Sequence, residues 1–404
     1  MKKYKYPLIY PRIYKSDKQE GIKVIKSGQI TMSKITKDFE KRFARYIGSK
    51  YAVMVNSGSS ANLLATAASC NPLRKKKLNI GDEVLVPGIC WSTSLWPLVQ
   101  YGLKPIFVDV DVDTLNMNID DLKNKISNKT KIIFCVHVLG NSSNMNEIKK
   151  IVKEKKLILI EDTCESLGSN FNKKKLGSFG DFGTYSFYYS HQISSGEGGM
   201  VVCNSKDDYE ILLALRAHGW SRDGSKHEYY KKKFPKLDER FIFINLGYNL
   251  RPLEIQAAIA RNQLKQINNF KTSRKYNRDK IISLFNKKYK QNSFLSFVES
   301  SKHVDCNWFG LPILVNNKFK HKKKMIIKEI ENLGVETRPI ISGNFLNQPA
   351  IELLKLNSKK IKLKYSQEVD DRGFFIGINT QKSSLKILNY VAESLGKAFT
   401  KVCN

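Results

Sequence analysis

The 404-residue chain contains no run of about 18 apolar residues, so it carries no segment suited to cross a membrane as a helix. Its opening, MKKYKYPLIYPRIYK, lacks the apolar stretch and small-residue cleavage site of a secretory leader. Cysteine is sparse and its spacing unpaired. Cys70, Cys90, Cys135, Cys164, Cys203, Cys306 and Cys403 form an odd, dispersed set, which argues against a disulfide framework and for reduced thiols in a cytoplasm. No cysteine lies between Cys203 and Cys306, and no four cysteines stand close together in sequence as the soft ligands of an iron–sulfur cluster would. His137, His218, His227, His303 and His321 fall at no metal-ligand spacing, and no metal site is expected. No internal repeat is visible.

Acid is also scarce. Lys and Arg total 69 against 37 Asp and Glu, a formal net charge of +32. The lysines spread over the whole chain. The basic runs at 74–77, 173–175, 231–233 and 322–324 are short and far apart, with no stripe of interleaved aromatics. No nucleic-acid partner is expected. The field favours small anionic substrates, a nucleotide diphosphate among them.

At 41% hydrophobic, the chain can bury a full core as one large and one smaller domain. Apolar runs at 51–56, 83–86, 105–108, 131–137, 157–161, 183–187 and 200–203 read as strands. Helical stretches at 61–68, 146–155 and 207–218 are interspersed among them and after the last. This alternation predicts a mainly parallel sheet covered by helices. Residues 219–245 are polar, basic and aromatic, and read as an excursion from the core. Pro252 is expected to open a long helix, with Glu254 in its first turn. Beyond it, 309–315 reads as a strand and 324–333 as a helix.

Two local patterns carry chemistry. NSGSSAN at 56–62 joins a strand to a helix, where small residues let backbone N–H groups of Gly58 and Ser59 approach an anion. Asp162 ends an apolar strand, the place where ligands gather in open α/β sheets.

Residues 160–202, IEDTCESLGSNFNKKKLGSFGDFGTYSFYYSHQISSGEGGMVV, resemble the core signature of the DegT/DnrJ/EryC1/StrS family. These are sugar aminotransferases that use pyridoxal 5′-phosphate (PLP). The resemblance extends to NSGSSAN and to GYNLRPLEIQAA at 247–258. It implies an aspartate-aminotransferase-like fold type I, α/β throughout. Residues 1–250 would form an N-terminal arm and a large PLP-binding domain with a mostly parallel mixed sheet, and residues 251–404 a smaller C-terminal α/β domain.

By that resemblance Gly58, Ser59 and Ser186 bind the cofactor phosphate, and Trp91 stacks on its ring. Asp162 pairs with the pyridine nitrogen and keeps it protonated, so the ring can accept electrons. Glu165 stands where the family holds a polar residue beside the ring hydroxyl, often Gln. Asn249 touches the phosphate of a neighbouring subunit, which implies a homodimer. His191 occupies the position of the lysine that binds PLP covalently in most of the family. An imidazole cannot make that bond, so the cofactor is held non-covalently. His191, with an unperturbed pKa of about 6.5, becomes the acid/base.

A branch with this replacement consists of 3-dehydratases acting on nucleotide-linked 4-keto-6-deoxy sugars. The lack of clustered cysteines points to its iron-independent members, which use GDP-linked sugars. L-glutamate would convert PLP to pyridoxamine 5′-phosphate (PMP), and the product would serve 3,6-dideoxy sugar and surface polysaccharide synthesis. The sugar is a hexose or a heptose on this reading. Two other readings stand beside it: an aminotransferase with His191 as substitute base, and a non-catalytic nucleotide-sugar binder.

Overall fold

The computed structural model describes residues 4–10, 13–289, 293–357 and 360–403. Residues 1–3, 11 and 12, part of the opening read above for a leader, lie outside the described residues.

Two helices, α1 (Lys15–Ser27) and α2 (Lys34–Ile47), precede the sheet. Strand β1 (Tyr51–Val55) turns into α3 (Gly58–Ser69), and β2 (Glu83–Pro87) into α4 (Ser92–Gln100). Strand β3 (Lys104–Val108) is followed by α5 (Ile119–Lys125), and β4 (Thr130–Val136) by α6 (Met145–Glu154). Then come β5 (Ile158–Asp162), a small hairpin of β6 (Asn170–Phe171) and β7 (Lys174–Lys175), and β8 (Phe182–Ser186). Strand β9 (Gly199–Cys203) and α7 (Lys206–Arg216) complete this part.

The seven-stranded sheet runs β1-β9-β8-β5-β4-β2-β3. Strands β3, β2, β4, β5 and β8 pair in parallel, while β9 lies antiparallel to both β8 and β1. The expected strands all form, with boundaries moved by a residue or so. The single reversed strand has a consequence for the site. It brings Gly199, at the start of β9, level with Ser186 and Val55 at the ends of β8 and β1. The carboxyl ends of β1, β5 and β8 and the start of β9 therefore share one edge.

Residues 219–245 carry α8 (His227–Lys233), which has no buried residue. The helix expected from Pro252 begins two residues later, as α9 (Glu254–Leu264), and a break separates it from α10 (Ile267–Tyr289). Glu254 does more than meet its own helix dipole. Its carboxylate accepts the amides of Ser33, Ile35 and Thr36 at 2.7, 2.5 and 3.2 Å, capping α2.

The C-terminal part holds β10 (Leu295–Phe297), β11 (Val304–Asp305), β12 (Gly310–Val315) and α11 (Lys323–Asn332). After β13 (Thr337–Arg338) come α12 (Pro349–Leu353), α13 (Lys364–Arg372), β14 (Gly373–Gly377) and α14 (Leu385–Cys403). Its antiparallel sheet runs β10-β12-β14-β13. Two ties fix it to the edge of the large sheet. Asp109, just past β3, accepts the Tyr365 and Ser366 amides at 2.9 and 2.6 Å and so caps α13. The Phe309 amide donates to Leu139 O, past β4, at 3.0 Å.

Candidate active site

The turn between β1 and α3 is fixed by its serines. Ser57 Oγ accepts the Ser60 amide at 3.0 Å, and Ser60 Oγ donates to Asn56 Oδ1 at 2.6 Å. The amides of Gly58 and Ser59 fall in the first helical turn, where no intrahelical acceptor exists. Space dictates the glycine. A Cβ at Gly58 would sit 2.5 Å from Ser186 Cβ, 2.9 Å from Ser186 Oγ and 3.2 Å from Cys164 Sγ. Gly199 has the same function opposite, since a Cβ there would lie 2.2 Å from Ser57 O. The helix start, with its free amides and positive dipole end, is thereby pressed against the ends of β8 and β9 as an anion cradle.

Asp162 closes β5, and three donors converge on its carboxylate. Oδ2 accepts Asn62 Nδ2 from α3 at 2.8 Å and Ser94 Oγ from α4 at 2.7 Å; Oδ1 accepts the Cys164 amide at 3.1 Å. Asn62 is itself oriented by Thr184 of β8, whose Oγ1 donates to Asn62 Oδ1 at 2.6 Å. A buried carboxylate is tolerated because these donors replace its lost water.

Gly58, Ser59, Trp91, Asp162, Glu165, Ser186 and His191 all line one cavity of about 570 Å³. Trp91, the N-cap of α4, remains 58% exposed, so its indole is uncovered as a stacking surface must be. Ser186 is buried at the end of β8 and its Oγ accepts the Tyr188 amide at 3.2 Å. Glu165 Oε2 accepts the Leu139 amide at 2.9 Å. Burial raises the Glu165 carboxyl to about 7, against the lowering effect of that amide and with a smaller push from Asp162.

His191 lies edge-on between Tyr188 and Phe309, with ring centroids 5.9 and 5.2 Å away. Its Nδ1 is buried and has no hydrogen-bond partner among the described residues. Burial lowers its pKa to about 4; the Cys164 backbone and the Asp162 charge oppose the shift and the Arg274 charge adds to it. The side chain expected to titrate near 6.5 is thus a neutral imidazole at neutral pH, because the site desolvates it. No lysine lines the cavity among the described residues.

These groups fit a phosphorylated pyridine ring. Open amides suit its phosphate, an anchored carboxylate its ring nitrogen, and a bare indole its face. Residues 11–395 match the DegT/DnrJ/EryC1/StrS aminotransferase family. The chain belongs to that family. It is 39% identical to the GDP-4-keto-6-deoxy-D-mannose 3-dehydratase of Escherichia coli O55:H7 (strain CB9615 / EPEC) over 92% of this chain and 94% of the relative. A solved structure of the E. coli GDP-4-keto-6-deoxy-D-mannose 3-dehydratase with bound hydrated PLP superposes with a TM-score of 0.87. Its identity is 36%, covering 98% of this chain and all of that one. A second structure, of a GDP-4-keto-6-deoxymannose 3-dehydratase with a trapped PLP-glutamate geminal diamine, gives 0.85 at 36% identity, covering 96% and 100%. The fold is therefore the expected fold type I of PLP enzymes.

Against this family frame, Asn249 stands apart. It is exposed and lines no part of its own chain's cavity; its backbone bridges Ala217 and its Oδ1 accepts Arg251 Nε at 3.0 Å. Several site residues escaped the sequence reading. Asn62 was inside the quoted NSGSSAN and Ser94 three residues past Trp91, so both were adjacent to a signal. Arg338, Pro339 and Ile341 enter the cavity from the C-terminal part, and no local pattern marks them. Arg338 pairs there with Glu336 at 2.8 Å.

Among the described residues no helix is long and apolar enough to cross a membrane, and no three His, Cys, Asp or Glu side chains group as metal ligands.

Proposed function

We propose that the chain is a PLP-dependent 3-dehydratase that removes the C3 hydroxyl of a GDP-linked 4-keto-6-deoxy sugar, with L-glutamate as amine donor. One observation carries this: an imidazole, not a lysine, lies in a cavity otherwise furnished for PLP. The bound cofactor, cycling between PLP and PMP, supplies an amine for the sugar ketone and an electron sink for the elimination.

The chain's own residues do the rest. The Gly58 and Ser59 amides and the Ser186 hydroxyl hold the phosphate. Asp162, oriented by Asn62 and Ser94, holds a proton on the ring nitrogen. Trp91 covers the ring face, and Glu165 meets the ring hydroxyl. His191, neutral in the resting site, removes the proton from the C4′ carbon and then gives it to the departing C3 oxygen. A lysine there would return a proton to C4 and leave an amino sugar; His191 instead releases an enamine that water hydrolyses. The balance is one sugar nucleotide and one glutamate in, and one 3-deoxy-4-keto sugar nucleotide, 2-oxoglutarate and ammonia out.

Residues 1–250 form the cofactor-binding part and 251–404 the smaller part on this proposal, with α9 returning to pack on α1 and α2. The exposed Asn249 reaches the phosphate in a second subunit, making the working unit a homodimer. The exposed Phe243, Leu246 and Leu253 around it give that contact an apolar surface. The reaction belongs in the cytoplasm, in agreement with seven free cysteines, and serves synthesis of a surface polysaccharide. Reduction with borohydride followed by dialysis tests the cofactor bond. PLP should wash out; a pyridoxyl group fixed to a lysine of the chain would overturn the proposal.

A further inference from the structure

The cavity wall holds three carboxylates, Asp162, Glu165 and Glu197, but among the described residues only one Lys or Arg side chain, Arg338. L-glutamate, the amine donor of the proposed reaction, must bring two more carboxylates to this space. Its reacting amine and its α-carboxylate share one carbon, so they enter together. The diphosphate of a sugar nucleotide, on C1, lies across the sugar ring from the C4 ketone and can stay nearer the mouth. A donor carboxylate brought in without a cationic partner would lose its water at a cost. In the wall that this chain builds, Arg338 is the partner on offer.

Arg338 is both accessible and aimed. Its side chain is 49% exposed, and in β13 it sits opposite Phe375 of β14, which also lines the cavity. Nη1 donates to Thr337 O at 2.8 Å, and Nη2 pairs with Glu336 Oε1 at 2.8 Å. A guanidinium carries five N–H donors in a planar fork, so two contacts fix its plane and leave donors for an oxyanion.

Glu336 is fixed in turn by the N-terminal arm. Its Oε2 accepts the Leu8 amide at 2.9 Å. Its own amide donates to Tyr6 O at 2.9 Å, and the Tyr6 amide donates to Gly334 O at 3.0 Å. Tyr6 is buried, so the arm is anchored in the core, and Leu8 lines the cavity. A chain of contacts thus runs from the arm through Glu336 to the cation.

We propose that Arg338 binds a carboxylate of L-glutamate, and that the N-terminal arm, through Glu336 as positioning residue, aims it. The inference rests on the reaction proposed above and adds to it a residue that recognises the donor.

The test uses the PLP-loaded full chain. Glutamate is titrated while the cofactor's absorbance reports conversion to PMP. Calorimetry with glutarate, a dicarboxylate without an amine, reports binding without reaction. Arg338→Gln should raise half-saturating glutamate and weaken glutarate by about tenfold or more, the scale of a hydrogen bond between charged groups. Arg338→Lys, which keeps the charge and loses the fork, should fall between. Half-saturation of the PMP-loaded Arg338→Gln chain by the sugar nucleotide should match the parent. A loss on the sugar nucleotide, alone or equal to that on glutamate, overturns the inference, as does unchanged affinity for glutamate.

Glu336→Ala decides the role of the arm by its sign. The charge of Glu336 alone repels a carboxylate, so a purely electrostatic role predicts tighter glutamate binding in the variant. Loss of aim predicts weaker binding, which Glu336→Gln should recover. Tighter or unchanged binding in Glu336→Ala overturns the positioning role. Should that variant not fold, Glu336→Asp replaces it: the charge stays, the reach shortens, and binding should still weaken. A parent chain whose bound PLP is not converted by glutamate sinks the reaction itself, and the inference with it.

Discussion

Replacing Gly58 by Ala adds one methyl group at a tight point of the anion cradle. The new Cβ would lie 2.5 Å from Ser186 Cβ and 3.2 Å from Cys164 Sγ. The first contact is about 1 Å inside the distance at which two carbons attract. Neither neighbour can yield cheaply. Ser186 is buried at the end of β8, where it pairs with Gly199 of β9, and Cys164 donates its amide to Asp162. The strain of such overpacking is about 1–3 kcal/mol. At roughly 2.1 cal/mol/K per residue, a chain of this length would lose only about 1–4 °C in Tm. The phosphate cradle would lose more, because relief comes by moving the helix start away from Ser186. PLP affinity should fall by about tenfold or more, each 1.4 kcal/mol being a factor of ten. Fluorescence titration with PLP, beside a thermal melt, gives both numbers. A variant that binds PLP as tightly as the parent would refute the assignment of this turn to the phosphate.

Three further outcomes follow from the site. Glu165→Gln removes a carboxyl whose folded-state pKa is raised from 4.5 to about 7. The unfolded chain loses that proton first, so stability drains as pH rises through this window; the variant should match the parent below pH 4.5 and melt higher above pH 7. His191, with its pKa depressed from 6.5 to about 4, should titrate near 4 by NMR in the cofactor-free chain. Its contribution to stability is full above 6.5 and lost as pH falls toward 4, and a midpoint near 6.5 would show that burial does not desolvate it. Mixing Asn249→Ala chains with His191→Ala chains should restore part of the activity, since one shared site then carries neither defect. A verified heterodimer with no rescue would mean that each site is built from one chain.

Much of the large sheet was legible because its strands are buried on both faces and read as continuous apolar runs closed by small turn residues. The C-terminal part was less so. Strand β13 is two residues long, and β14, GFFIG, is bounded by glycines that weaken a strand signal. Helix α10 hid for a different reason. Its buried face includes Arg274, Asn277 and Arg278, which donate to backbone carbonyls of Trp308, Asn379 and Val298, so apolar periodicity is interrupted where the helix is most deeply packed. The same distinction applies to the site. Gly58, Ser59, Asp162, Ser186 and His191 lie in short local patterns tied to a strand end. The convergence of Asn62 and Ser94 on Asp162, the entry of Arg338 from far along the chain, and the neutral state of His191 are products of packing.

The most direct test of the central claim is the mass of the product. The protein is incubated with PLP, L-glutamate and GDP-4-keto-6-deoxymannose, and the sugar nucleotide is weighed by mass spectrometry. The account predicts a product lighter than the substrate by one oxygen atom, with 2-oxoglutarate and ammonia formed in step. A sugar nucleotide carrying new nitrogen, with no ammonia released, would contradict it and make the chain an aminotransferase.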